Sequence, residues 1–318
     1  MASRISLAPV LPFKLDKHNL QLLAVLDKDG RIPLSGAAKK IGVSRENAHY
    51  RFRQLCNEGV IVGFKLLINY FALGYKCYNL LLNLENLGDT TRDNIVASLK
   101  KNKDIDVKTY ILSNWDLELI IWVKNDTEFY SFYNDFMLRN KEYIMDKKLF
   151  VVTSMYTFSH EYLHESAHMV TLKTPSKLVS VDLIDEELLD ILELNPREDL
   201  VSIAAKLKIA ATTVAYRIKR LSKMKVILGC MPRLDLSRIG CTKYRIEVLL
   251  NNPAQRSAII TFLSDHAHVL RVYELIGSMD LAFEGDFGSA LQVDLFLNQL
   301  MKKVPMIRNF DVRVIVKQ

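Results

Sequence analysis

The sequence predicts an α+β chain, with two winged helix-turn-helix units and two ferredoxin-like (βαββαβ) units in a tandem repeat. Three observations predict it. The 318-residue chain contains an internal repeat with a period of about 165 residues. Each copy opens with three helical segments, with a tight turn before the third, and then a β-branched run. Each copy continues with strand-like and helix-like segments in the order βαββαβ.

The repeat is carried by matching segments in matching order. Asp16–Leu26 begins one copy and Asp185–Leu194 the other. Gly36–Ser44 then matches Ile203–Ala210, Ala48–Leu55 matches Val214–Leu221, and Gly59–Gly63 matches Lys225–Gly229. Leu73-Gly74 matches Ile239-Gly240, and Ser113–Leu117 matches Gly277–Leu281.

In the first copy, Leu20, Leu23 and Leu26 have the three-to-four spacing of an amphipathic helix. Asp27–Gly30 breaks it. A short helix is expected over Ser35–Ile41, a turn at Gly42–Ser44 with Ser44 as N-cap, and a third helix over Arg45–Glu58. Gly59 ends that helix and Val60–Val62 starts a strand. Strands are then predicted at Cys77–Leu84, Lys108–Leu112, Leu117–Val123 and Leu149–Met155, with helices at Thr91–Lys101 and Glu128–Met137. In the second copy, Leu188, Ile191 and Leu192 start the pattern and Asn195-Pro196 breaks it. Its later strands are expected at Tyr244–Leu250, Val269–Leu275, Asp280–Glu284 and Asn309–Val316, with helices near Arg256–Ser264 and Ser289–Leu300. The boundaries this sets are 1–64, 65–158, a linker over 159–181, 182–230 and 231–318. A ferredoxin-like sheet has one uncovered face, so two such sheets in one chain are expected to pack on each other.

Composition narrows the function classes. Apolar residues make up 49% and charged residues 25%, which is ordinary for a folded soluble chain. No apolar run approaches the ~20 residues that span a bilayer. Cys56, Cys77, Cys230 and Cys241 form no CxxC pair, so neither a zinc knuckle nor a disulfide framework is indicated. A reduced, cytoplasmic protein with no cofactor and no membrane partner is expected. The P-loop, nucleophile-elbow and dinucleotide fingerprints are all missing from the sequence.

Charge points to a partner. Residues 1–65 carry 11 Lys+Arg against 5 Asp+Glu. From Ala204 to Lys225 there are seven bases (Lys206, Lys208, Arg217, Lys219, Arg220, Lys223 and Lys225) and no acid. Basic third helices are the electrostatic footprint of double-stranded DNA binding. With Ala48, Phe52 and Leu55 facing inward, the first such helix offers Ser44, Arg45, Asn47, His49, Tyr50, Arg51 and Arg53. The second offers Thr212, Thr213, Tyr216, Arg217, Lys219 and Arg220. These are the side-chain types that contact phosphates and base edges. One further segment, His160–His168, contains HExxH and a third His, so His160, His164 and His168 would share a helix face. It falls in the expected linker with no catalytic domain around it. A connecting helix is therefore the expectation, and no metal is assigned.

These residues resemble the Lrp/AsnC family of transcription regulators. The resemblance rests on Leu15-Asp16, Ala37–Lys39, Tyr50–Phe52, Gly59–Phe64, Leu73-Gly74 and Trp115-Asp116, and on Val226–Gly229 and Gly277–Leu281 in the second copy. The doubled form resembles the tandem members found in archaea. The resemblance implies a sequence-specific DNA-binding regulator, built as an intramolecular pseudo-dimer that self-associates through its ferredoxin-like domains. It also implies a small-molecule effector, commonly an amino acid, at the turn between two strands. Here that turn is Ser113, Asn114 and Asp116, and Gly277, Ser278 and Asp280. The pattern breaks where Ala210-Ala211 replaces the cap serine and where Ser113 replaces a glycine. Two alternatives follow. One is a low-specificity architectural DNA binder. The other is an enzyme of this fold acting on haem precursors through His266, His268 and Arg271.

Overall fold

A computed structural model describes residues 12–317 apart from 86–88, 100, 101, 103, 112 and 161–168. The first unit comprises α1 (Lys17–Lys28), α2 (Leu34–Ile41), α3 (Arg45–Asn57) and β1 (Ile61–Ile68). Its counterpart comprises α6 (Leu183–Leu194), α7 (Leu200–Leu207), α8 (Ala211–Lys223) and β7 (Ile227–Leu234). Asp16 caps α1 by accepting the Asn19 amide at 2.8 Å. Asp182 caps α6 in the same way, within a capping box with Asp185. The structure thus shifts the alignment of the copies by three residues: Asp182, not Asp185, is the counterpart of Asp16. Ser44 caps α3 through the Asn47 amide at 3.1 Å, whereas Ala210 gives α8 no side-chain cap.

Two backbone positions also separate the copies. Gly42 and Gly59 hold φ of +72° and +71°, and Lys208 and Lys225 hold +55° and +59° at the corresponding places. A Cβ in the left-handed region meets the following carbonyl oxygen, at a cost of about 1–2 kcal/mol. The second unit is the more strained.

The β element after the third helix does not fold back on its own unit. β1 pairs antiparallel with β7, from Ile61↔Leu234 to Ile68↔Ile227. Leu66 and Ile68 enter the core of the second unit beside Leu188 and Leu221. Leu234 packs on the core of the first beside Leu22 and Leu55. The two helical units are therefore joined by exchanged strands.

The ferredoxin-like units are β2 (Lys76–Leu84), α4 (Asp89–Leu99), β3 (Ile105–Ile111), β4 (Leu117–Val123), α5 (Asp126–Asn140) and β5 (Ile144–Phe158), then β8 (Thr242–Leu250), α9 (Arg256–Ser264), β9 (Val269–Ile276), β10 (Leu281–Phe287), α10 (Ala290–Lys303) and β11 (Ile307–Lys317). The strand orders are β5-β2-β4-β3 and β11-β8-β10-β9. β3 pairs with β11 and β9 with β5, so the eight strands close into a ring. The expected linker is not wholly a linker. Met169–Lys173 within it forms β6, a ninth strand antiparallel to the end of β5.

Each sheet is covered outside by its own helices and inside by the other sheet. Leu80 and Leu119 of the first sheet share a core with Phe136 of α5. Ile246 and Phe283 of the second sheet share a core with Ile259 of α9 and Phe296 of α10. Between the sheets lie Leu81, Trp115, Ile120, Phe150, Tyr273 and Leu275.

The same interior contains ions. Arg245, with no exposed surface, reaches Glu118 of the other sheet at 2.8 Å and Glu284 at 3.2 Å. Tyr273 donates to Glu284 at 2.8 Å and lies under the Arg245 guanidinium. Arg313 pairs with Glu247, and Asn79 donates to Glu118.

Two outcomes follow. Arg245→Met removes the cation facing two buried carboxylates and is expected to lower unfolding free energy by about 3–5 kcal/mol, measured by chemical denaturation. Lys208→Gly relieves the left-handed residue and is expected to raise it by about 1 kcal/mol, measured the same way.

Candidate nucleic-acid interface

α3 turns Ala48 and Leu55 into its core, and α8 does the same with Val214 and Leu221, all without exposed surface. The opposite faces are open. Arg45, Asn47, Arg53, Thr212 and Lys219 are exposed, and His49 and Thr213 are half-buried. Tyr50 and Tyr216 occupy equivalent places and are each 65% exposed. Arg53 and Lys219 are likewise equivalents, one turn further on. Ser44 is exposed but its hydroxyl is used in the cap.

Three of the expected contact residues are directed elsewhere. Arg51 Nη1 donates to both oxygens of Asp16, at 2.8 and 2.7 Å, and to Asn19 at 2.9 Å. Its Nε donates to Asn47 at 2.7 Å. Arg217 Nη1 repeats this with Asp182, at 2.9 and 2.8 Å, and with Asp185 at 2.8 Å. Arg220 also pairs with Asp185. Hydrogen bonding from Arg51 holds the Asp16 carboxyl below its ordinary 3.8, and Arg217 does the same for Asp182. These arginines brace the recognition helix against the cap of the first helix. A guanidinium in a helix pattern reads alike whether it faces solvent or a carboxylate, so the sequence carried no signal for this.

The strand-turn sites are also committed internally. Asp280 accepts from the Leu250 amide at 2.9 Å and from Arg256 Nη2 at 2.7 Å. Asp116 accepts from the Leu84 amide at 2.8 Å, with Arg92 3.9 Å away. Ser113 Oγ accepts from the Trp115 amide at 3.1 Å, while Asn114 and Ser278 are exposed. Gly277 serves the seam between the sheets: a Cβ there would lie 2.6 Å from Phe150 Cδ1. Both aspartates close their turns.

His160 is buried, not on an open helix face. Its amide and Nδ1 both meet the Asp27 carboxylate at 2.8 Å, tying the end of β5 to the end of α1. His164 and His168 lie outside the described residues, and no metal-holding group of three occurs among the described ones. The cysteines are free. No described helix is long and apolar enough to cross a membrane. His266 packs edge-on against Phe296 and is pushed down to about 4 by burial. His268 donates from Nδ1 to the Asp286 carbonyl at 2.8 Å. Arg271, on β9, lies 3.5 Å from Glu284. These three do not converge on one site.

Comparison with known proteins follows the same division. A winged helix-turn-helix DNA-binding model matches residues 15–62, and an AsnC-type helix-turn-helix domain model matches residues 181–222. An uncharacterized HTH-type transcriptional regulator of Pyrococcus abyssi is 30% identical over 116 residues, which are 36% of this chain and 77% of that protein. The chain belongs to the Lrp/AsnC family of transcription regulators. The regulator FL11 of the same organism is 29% identical over 118 residues, covering 37% of this chain and 77% of its own length. The matched segment, about three quarters of each relative, spans a little over a third of this Lrp/AsnC chain, so a whole relative corresponds to about half of it, as expected of a tandem member. The solved siroheme decarboxylase NirDL superposes with a TM-score of 0.62 over 94% of this regulator and 91% of its own chain, at 11% identity. That likeness is one of fold. The regulator is a DNA-binding protein of α+β architecture.

Different effects are expected from the two kinds of basic residue. Arg53→Ala and Lys219→Ala each reduce the slope of log K against log salt by about 0.9 for every phosphate that the side chain neutralises. Arg51→Ala leaves that slope near wild type and lowers the melting temperature. Fluorescence anisotropy over a salt series, with thermal melts, checks both.

Proposed function

We propose that this regulator binds double-stranded DNA sequence-specifically at paired, inverted half-sites, with α3 reading one and α8 the other. The observation that carries this is the pseudo-twofold relation of the two recognition helices. Their open faces present the equivalent pairs Tyr50 with Tyr216 and Arg53 with Lys219. Ser44, Arg45, Asn47, His49, Thr212 and Thr213 complete the contact surface. Arg51, Arg217 and Arg220 hold the helices in place. Residues 1–64 and 182–230 act as DNA-binding units. Residues 65–158 and 231–318 act as an internal dimerisation core, with 159–181 joining the halves and lending β6 to the sheet.

An amino-acid effector at the strand turns is not part of the proposal, because both oxygens of Asp280 are engaged within its own domain. Neither is decarboxylase chemistry, because His268 packs on Phe287 and meets Gln292 of α10 while Arg271 is turned to Glu284. Sequence specificity is favoured over architectural binding by Arg45 and Asn47, exposed donors of the kinds that pair with guanine and adenine edges.

The test is recovery of fragmented genomic DNA by the purified chain at moderate salt, followed by sequencing. A short set of enriched sites sharing a two-part motif is the expected result. Uniform recovery would establish an architectural binder, and no recovery would remove DNA binding from the account.

A further inference from the structure

The two helical units grip each other through a pair of arginines that no DNA contact requires. Arg31 sits in the turn between α1 and α2, and Arg197 in the equivalent turn between α6 and α7. Arg197 Nη1 donates to the Gly30 carbonyl at 2.6 Å and Nη2 to the Ile32 carbonyl at 3.1 Å. Arg31 returns the grip, from Nη1 to the Pro196 carbonyl and from Nη2 to the Glu198 carbonyl at 3.0 Å. Each guanidinium thus straddles the carbonyls on either side of the other arginine. The planar fork of donors suits this bidentate role, which a lysine does not reproduce. The Arg197 guanidinium also lies 4.7 Å from the ring centroid of Phe64 and 5.6 Å from that of Phe52, a core face of α3. Two more reciprocal bonds frame the clasp: the Asn69 amide to Val226 O at 2.8 Å, and the Asp235 amide to Val60 O at 3.0 Å.

A clasp of this kind has a functional consequence. The α1–α2 and α6–α7 turns come just before the helices that lead into α3 and α8. Fixing one turn against the other fixes the separation and relative rotation of the two recognition helices. Resting on the reading of paired half-sites above, we infer that Arg31 and Arg197 are specificity-determining residues that set the half-site spacing this regulator accepts. They contact no base. They act by denying the two units the freedom to follow half-sites at other spacings.

The experiment is selection from random duplexes, with wild type and with the Arg31→Lys, Arg197→Lys double variant, which keeps both charges and removes both forks. Wild type is expected to recover two half-site motifs at one centre-to-centre spacing. Inserting about half a helical turn between them is expected to weaken wild-type binding about 100-fold, as when geometry forbids simultaneous engagement. The variant is expected to recover the same half-site motifs at several spacings, with the insertion penalty falling below about 10-fold. The single variants Arg31→Lys and Arg197→Lys each leave half the clasp and the whole β1–β7 ladder. They replace the double variant if it does not fold, with intermediate broadening expected. Wild-type spacing selectivity in folded variants overturns the assignment. So does a wild type that accepts every spacing, while the regulator reading survives. Failure of wild type to enrich any motif overturns that reading and this inference together.

Discussion

The constraint on which this molecule depends is that a β-sheet edge must be paired or protected. Each ferredoxin-like sheet has two edges, β5 and β3 in one and β11 and β9 in the other. Pairing β3 with β11 and β5 with β9 satisfies all four within a single chain. The same closure buries the sheet faces that the helices leave bare. It also places the ends of β5 and of the exchanged strands β1 and β7 where the helical units must attach. The His160–Asp27 contact secures one such attachment, since β5 runs directly into the residue that holds the end of α1. The position of the DNA-binding units is thus a consequence of how the ring closes.

Closure also explains the chemical divergence of the halves. Arg245, Glu247, Glu284 and Asp286 on the second sheet stand where the first has Asn79, Leu81, Ile120 and Trp122. Arg245 finds its partner Glu118 across the interior. Two first-copy sheets packed together would offer Glu118 only Asn79 in place of that guanidinium. A buried ion pair contributes little net stability against an apolar pair, but breaking one is costly. The network therefore discriminates between pairings more than it stabilises any one of them. Unlike halves in one chain are a natural setting for such a device.

Much of the architecture was legible because it is local. The 3.6-residue periodicity of α1 and α6, the cap at Ser44 and the β-branched run over Leu117–Val123 are written within a few residues. What was not legible depends on contacts between distant segments. Lys243, Arg245 and Glu247 alternate along β8 like an exposed face, and only the packing of the first sheet against it buries Arg245 and Glu247. Arg51 and Arg217 carry the residue type expected of DNA contacts, yet Asp16 and Asp182, each 35 residues away in sequence, engage their guanidinium groups. Asp116 and Asp280 looked available because the amides they accept, at Leu84 and Leu250, lie on another strand. The Met169–Lys173 strand is too short to stand out from a linker until β5 extends beyond β2 to receive it.

The two recognition helices share their bracing and differ in what they present. At the positions of Arg45, Asn47 and His49 on α3, α8 has Ala211, Thr213 and Ala215. The first set offers charged and amide donors for purine edges. The second offers methyl groups, which suit the thymine C5-methyl, and one hydroxyl. Tyr50 with Tyr216 and Arg53 with Lys219 remain in common, so on the proposed reading the surroundings of the bases are gripped alike while the bases are read differently. A symmetric homodimer must read two copies of one half-site. A duplicated chain held in a fixed pseudo-twofold frame is released from that requirement, because each recognition helix can change independently while the ring and the clasp preserve the spacing. Under the proposal of paired half-sites, the operator suited to this surface is a pair of unlike half-sites, with its hydrogen-bonded bases concentrated under α3.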